Sequence, residues 1–412
     1  MPSATTTSAE PSTPPALRST LLSWLAVLSV MMGIFAIVTT EILPIGLLPS
    51  IGRSFTISDG MAGLMMTMPG FLASISAPVV TVATGRVDRR AMLGAFVLLL
   101  ALANFTAAAA SSYWMMLVSR VLVGITIGGF WSIGAGLAGR LVPSRQAGRA
   151  TSVIFSAVPL GSVLGVPLGT FIGSLAGWRS TFLVMGVFAL SVFVLLVLAL
   201  PALPPERATR LRVLNTMLRN VNTGFALTLT FLIVLAHFGT YTYVTPFLQQ
   251  VTHVSPALIT LYLLVYGIAG IVGNFLGGAT VARYPRGTFA AAASMLAGAT
   301  LSMPLLGRWD WGAMALLMIW GIAYGAVPVC SQTWFAKAAP TSPEASSVVF
   351  TASFQATFSI GALVGGMVID HSSPSTLMPL GGCAAALAVL VVGFHRMRRI
   401  TWPETDQASR HD

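Results

Sequence analysis

The chain has 412 residues, of which 55% are hydrophobic and only 8% charged, with a formal net charge of +11. A soluble domain carries roughly 25% charged residues, so the polar skin of a water-soluble enzyme is missing, and the chain is too apolar for intrinsic disorder. The composition leaves an integral membrane protein. The basic excess does not point to nucleic acid, because the arginines fall between long apolar runs.

Residues 1–20 are rich in Ser, Thr and Pro and are expected to form a disordered cytoplasmic tail. The first apolar run is longer than a signal-peptide core and no small-residue cleavage site follows it, so a cleaved signal is not expected. A transmembrane helix needs about 20 mainly apolar residues. That length predicts twelve spans, at 21–50, 59–84, 91–110, 114–139, 149–174, 180–200, 221–248, 257–282, 287–306, 312–336, 346–370 and 375–395. Runs such as 182–200 lack the alternation of a membrane β-strand, so the fold class is all-α, with twelve transmembrane helices.

Orientation follows from the basic residues. With the N-terminus inside, eighteen of the 22 Lys and Arg fall in inner segments, among them Arg86, Arg89, Arg90, Arg140, Arg145 and Arg149. Arg53, Arg179 and Arg308 fall outside, and Arg120 lies within a span. Both termini are therefore expected to be cytoplasmic. The longest hydrophilic connection, 201–220, separates two six-helix halves, 21–200 and 221–395, and 396–412 forms a second cytoplasmic tail. Glycine pairs echo between the halves: Gly124 and Gly128 in the fourth span, Gly321 and Gly325 in the tenth, Gly161 and Gly165 in the fifth, Gly361 and Gly365 in the eleventh. Two six-helix halves around a midplane cavity are the layout of many secondary transporters.

Three stretches resemble the major facilitator superfamily. Gly85-Arg86-Val87-Asp88-Arg89-Arg90 is similar to a degenerate form of its cytoplasmic signature loop. The fourth span, from Arg120 through Gly124 to Gly128, is similar to its arginine motif. The fifth, Gly161, Gly165, Pro167 and Gly169, looks like the antiporter motif of proton-driven exporters. The run from Thr40 and Glu41 to Pro49, with Gly129-Phe130-Trp131-Ser132 and Gly177-Trp178-Arg179, further resembles the sugar-efflux and purine-nucleoside-efflux transporters. The resemblance implies a monomeric, cytoplasmic-membrane, proton-coupled antiporter that exports a small neutral or cationic molecule such as a nucleoside, sugar or drug. It needs no cofactor beyond the proton gradient. An uptake symporter or uniporter of the same fold is the alternative. A membrane-embedded enzyme or receptor fits less well, since no paired intramembrane carboxylates, metal-ligand spacing or serine nucleophile elbow appears. No phosphate-binding G-x-x-x-x-G-K-[ST] loop marks an ATP-driven pump. Cys330 and Cys383 lie in apolar runs and read as small core side chains.

A charge at the bilayer centre costs about 2.5–3.5 kcal/mol on insertion scales. Glu41 is the one acid well inside a span, and Arg120 the one base. Helix rise places Glu41 roughly 14 Å and Arg120 roughly 10 Å below the outer surface, at similar depth. Glu41 is the proton-binding candidate: a carboxyl that exchanges a buried environment for a cationic neighbour changes its proton affinity. A static ion pair with Arg120 is the competing reading, and Arg120 is equally a substrate contact or packing glue. His237, the one histidine well inside a span, is a possible relay or a satisfied core residue. Thr40, Phe130, Trp131, Tyr241, Tyr243, Gln332, Trp334 and Gln355 are the cavity candidates, with interfacial anchoring the alternative for the two tyrosines. Asp88, Arg89 and Arg90 read either as a latch between the halves or as plain orientation charges. The fifth-span glycines form a smooth face expected to slide against Gly270, Gly273 and Gly277 of the eighth, with Pro167 bending the helix.

Overall fold

The computed structural model describes residues 20–83, 87–134, 137–204, 217–281, 283–338 and 343–397. Most of both tails, the middle of the 201–220 connection, and Gly85 and Arg86 of the signature loop lie outside the described residues. Among the described residues there are twelve helices long and apolar enough to cross a membrane, and no strand. The second to sixth spans are Asp59–Ala83, Arg89–Ala108, Tyr113–Gly134, Ala147–Ala176 and Trp178–Ala199. The eighth to twelfth are Pro256–Val281, Pro285–Leu306, Asp310–Ala338, Pro343–His371 and Pro374–Met397.

The first and seventh spans are each broken, which the sequence length alone does not predict. The first runs Thr20–Ile42, pauses at Leu43 and resumes as Pro44–Phe55. The seventh runs Val221–Tyr241 and resumes as Val244–Gln250. Proline accounts for both breaks. Pro44 and Pro246 have no N–H to give to the carbonyls four residues earlier, and their rings crowd the preceding turn. The fifth span, by contrast, runs as one helix through Pro159 and Pro167. The fourth is helical over the described residues Tyr113–Gly134, and a separate short helix, Ala138–Leu141, follows.

Each half packs by the same scheme. The fifth span lies on the first, the fourth on the second and the sixth on the third; the eleventh lies on the seventh, the tenth on the eighth and the twelfth on the ninth. The halves meet along two seams, second against eleventh and fifth against eighth. Glycines set the close approaches. A Cβ at Gly161, Gly165 or Gly169 would meet Val38, Ile42 or Leu43 of the first span, and one at Gly273 or Gly277 would meet Ile322 or Ala326 of the tenth. The expected sliding contact between the two glycine faces is therefore corrected. Each face is used inside its own half, because helices joined in one rigid bundle approach most closely. The fifth–eighth seam is instead made by Gly267 against Val163 and by the Thr260–Thr170 hydroxyl pair at 2.8 Å.

The surface is apolar where lipid would lie: Phe71, Phe171, Leu183, Phe275, Leu305 and Phe394 are all exposed. Trp114, Trp309 and Trp311, at or just before the starts of the fourth and tenth spans, are exposed too, as aromatic residues at a membrane interface are.

Candidate functional site

Arg120 is almost fully buried, and its guanidinium fork is spent on backbone carbonyls. Nε donates to Met65 O at 3.0 Å, and Nη2 to Thr40 O at 3.1 Å and Glu41 O at 3.0 Å. The choice follows from the prolines. In a helix Thr40 O would accept from residue 44 and Met65 O from residue 69, but both are Pro. Glu41 stands at the end of its helical segment, where carbonyls lack intrahelical partners. One arginine thus satisfies the carbonyls left open by Pro44 at the break of the first span and by Pro69 inside the continuous second span. It brings the first, second and fourth spans together with Glu41 and Arg120 at one level.

The Glu41 carboxylate points the other way, across the molecule. Oε1 accepts from Gln355 Nε2 of the eleventh span at 2.9 Å. Both residues are buried, and both line a cavity of about 310 Å³ between the halves. Its walls are mostly apolar and aromatic, with Trp131 and Phe155 from the first half and Phe238, Phe350, Phe354 and Phe358 from the second. Ser162, Tyr324, Gln332, Ser346 and Thr351 add hydroxyl and amide groups. Glu41 is the charged group among the described residues that line it. Gln332 and Ala336, toward the basic end of the tenth span, are exposed as well as lining the cavity, so it opens toward the face that carries the basic loops.

The opposite end is closed by bonds between the halves. Thr245 Oγ1 donates to Ile45 O at 2.9 Å and Ser359 Oγ to Thr67 O at 2.8 Å. Asp370 accepts from Ser58 Oγ at 2.7 Å and from Gly60 N at 2.8 Å, and Gln250 Nε2 donates to Asp59 at 3.0 Å. Tyr243 belongs to this seal. Its hydroxyl donates to Ala362 O at 2.7 Å, and its ring fills the space left by Gly63, Gly365 and Gly366.

His237 lies behind the cavity wall in an aromatic stack. Its ring lies 3.3 Å from that of Tyr324 and 5.0 Å from that of Tyr241, which is 4.4 Å from Tyr266. Its Nδ1 accepts from Trp320 Nε1 at 3.0 Å. His237 and Tyr241 border a smaller side cavity of about 120 Å³ between the fifth, seventh, eighth and tenth spans.

The structure thus gathers Glu41, Trp131, Gln332 and Gln355 at the main cavity, with Tyr241 and His237 beside it. Thr40 faces the third span, where its hydroxyl accepts from Asn104 Nδ2 at 3.2 Å. Phe130 is buried where Gly33 makes room for it. Trp334 packs on Phe225 and Phe289, ring centroids 5.1 and 6.4 Å away. Neither Thr40, Phe130 and Trp334 nor Tyr243 borders the cavity. Asp88 caps the third span, accepting from Arg90 N and Ala91 N, and also accepts from Leu203 N at 2.8 Å. Arg90 donates to Val197 O, and Arg89 N to Leu203 O. In this conformation these motif contacts tie the third span to the end of the sixth, within one half. Sequence reasoning missed Tyr324 and the Phe350, Phe354, Phe358 stripe. The stripe's four-residue spacing was its available signal.

A twelve-span helical protein with a central cavity, open to one face and sealed at the other, is a membrane carrier. Residues 24–365 match the Major Facilitator Superfamily, and the chain belongs to that family. It is a transporter, not an enzyme, and a multi-pass protein of the inner membrane. It is 31% identical over 370 residues to the purine ribonucleoside efflux pump NepI of Salmonella enteritidis, covering 90% of this chain and 93% of the pump. The NepI of Salmonella typhimurium matches to the same extent. Among solved structures, a bacterial homologue of the human lysosomal transporter Spinster, inward-facing and unoccupied, shares the fold with a TM-score of 0.75 and 17% identity, over 92% of this chain and 96% of that one. The human organic anion transporter MFSD10 gives a TM-score of 0.69 and 16% identity, over 90% and 99%.

Proposed function

We propose that the chain exports a purine nucleoside in exchange for protons, with Glu41 as the proton carrier. The observation that carries this reading is the Glu41 carboxylate. It is a charge lining a mostly apolar cavity, and it is bonded to the opposite half through Gln355. An ionised carboxyl in such a setting is costly unless satisfied, so loading and unloading a proton changes what holds the halves together. With the basic loops on the cytoplasmic side, the present conformation faces inward, ready to receive substrate from the cell. The aromatic walls suit a flat ring, and the relatives named as purine ribonucleoside efflux pumps point to the same class.

Reconstituted vesicles with an imposed pH gradient test the proposal. Purine nucleosides, sugars and cationic drugs are offered to the wild type and to Glu41→Gln. Nucleoside-dependent collapse of the gradient is expected in the wild type and absent in Glu41→Gln. Nucleoside movement that ignores the gradient would make the carrier a uniporter and Glu41 a structural charge. Movement of sugars or drugs without nucleosides would overturn the substrate class.

A further inference from the structure

The amide of Gln355 has two polar ends, and the structure accounts for one. Nε2 meets Glu41, while Oε1 is buried without a hydrogen-bond partner. The residue is 6% exposed and lines the main cavity. The Tyr324 hydroxyl, in the same wall, is likewise buried and unpartnered. Unsatisfied buried polar atoms are rare and call for an explanation. Here both belong to residues of a cavity whose other walls are largely aromatic.

An amide beside a carboxyl responds to its protonation. An ionised carboxylate only accepts, so it turns the NH₂ of the glutamine toward itself and leaves the carbonyl free. A protonated carboxyl also donates, and it can hold the carbonyl oxygen instead, freeing the NH₂. A glutamine amide matches the edge of a purine, whose ring N–H or exocyclic amine needs an acceptor. The charged or titratable groups around Glu41 are few. Arg120, from the fourth span, is engaged with backbone carbonyls, and Tyr324 comes from the tenth. The fifth span offers Ser162, and His237 sits behind Tyr324 with its Nδ1 occupied. The Tyr324 and Ser162 hydroxyls can also donate or accept, but the Gln355 amide is the group bonded to the Glu41 carboxylate, so its orientation is the one that the proton there would set.

We propose that Gln355 is the residue through which the proton on Glu41 sets substrate affinity. With Glu41 ionised, the amide presents its carbonyl to the N–H edge of a purine base. With Glu41 protonated, the carbonyl turns to the carboxyl and the cavity offers a donor in its place. The proton on Glu41 and the purine N–H then compete for one carbonyl, so each weakens the hold on the other. The inference rests on the nucleoside-export reading above and gives it a mechanism.

The test is equilibrium binding to the full-length protein in lipid nanodiscs, with inosine and purine riboside as probes. The two nucleosides differ at the six-membered ring, where inosine has an N–H donor and purine riboside has none. At mildly alkaline pH the wild type is expected to bind inosine about tenfold tighter, the scale of one buried hydrogen bond. At acidic pH that preference should fall to within about twofold. Gln355→Met, of similar size and without the amide, should show no preference at either pH. A preference that does not change with pH in the wild type, or a pH-dependent preference that survives in Gln355→Met, would overturn the inference while nucleoside binding stands. Failure of the wild type to bind either nucleoside would instead remove the nucleoside reading itself. The two-ligand comparison on the wild type needs no variant, so poor folding of Gln355→Met leaves it intact.

Discussion

In the first half the fifth span lays Gly161 and Gly165 against the first, and the fourth lays Gly124 and Gly128 against the second. In the second half the eleventh lays Gly361 and Gly365 against the seventh, and the tenth lays Gly321 and Gly325 against the eighth. The same positions make the same contacts, and both leading spans break before a proline. What fills the two scaffolds differs. The first half holds a buried arginine and the cavity's carboxylate; the second holds a histidine inside a stack of tyrosines. Repeated packing fixes where helices meet, and the residues that carry chemistry differ between the two copies of it. The Glu41–Gln355 bond is where the polar half reaches the aromatic half.

The largest effect should come from removing Arg120, because that one side chain satisfies the carbonyls left open by Pro44 and Pro69 together with that of Glu41. Arg120→Met should lower stability by about 2–5 kcal/mol, given three hydrogen bonds lost and three carbonyls left buried. Adding Pro44→Ala supplies an N–H for Thr40 O and should recover part of the loss. Thermal unfolding in detergent of the two single variants and the pair measures this coupling. Strict additivity would mean that Arg120 serves something other than the proline break.

Next in size is a break in the shared glycine scheme. A side chain at Gly325 would run into the Gly270 backbone, and one at Gly128 into the backbone at Ala73 and Ala77. Backbone cannot rotate aside, so Gly325→Val and Gly128→Val should each destabilise by about 1–3 kcal/mol. Gly278 has nothing within 4 Å of an added Cβ, and Gly278→Val should be nearly neutral in the same melts. Unequal losses at the two equivalent sites would show that the halves tolerate repacking differently.

The glycine echoes and the twelve apolar runs made the fold legible, because lipid burial and close helix packing both leave periodic marks on sequence. Glu41 and Arg120 were legible for a similar reason, since a charge within an apolar run stands out. Their relation was not. Matched depth suggested an ion pair, yet Arg120 bonds the Glu41 backbone and Gln355 takes the carboxylate. Which carbonyls need a partner depends on where prolines fall in two other helices, and side-chain direction depends on the packing of both halves. Thr40, Phe130 and Trp334 were drawn in by composition, but a residue's place on a helix face is set by neighbours from distant parts of the chain. Tyr324, flanked by packing glycines, gave no separate signal.

A smaller effect is expected at the sealed end, where Asp370 of the second half holds Ser58 and Gly60 of the first. These bonds are solvent-accessible, so Asp370→Asn should shift the balance toward the conformation open on that face by only about threefold. Ile45 is fully buried within the second half's core cluster, and in the alternate conformation it would be uncovered. An Ile45→Cys reporter, with Cys330 and Cys383 replaced, should therefore react correspondingly faster with a membrane-impermeant maleimide when Asp370→Asn is added. Unchanged labelling would place the seal's strength in Tyr243 and the packed helices instead.

The smallest effect concerns the histidine that sequence made a proton-relay candidate. His237 is 1% exposed, stacked face to face on Tyr324, and its Nδ1 already accepts from the Trp320 indole. Protonating Nδ1 would set two donors against each other, since an indole N–H can only donate. The stack therefore behaves as a rigid backing for the cavity wall. Trp320→Phe should cost about 1 kcal/mol for one buried hydrogen bond and leave pH-driven transport within about twofold of the wild type. His237→Gln should do the same. Glu41→Gln, one cavity wall away, should abolish the coupling. If His237→Gln also uncouples transport from the gradient, the aromatic half shares the proton, and the division of labour between the two halves is wrong.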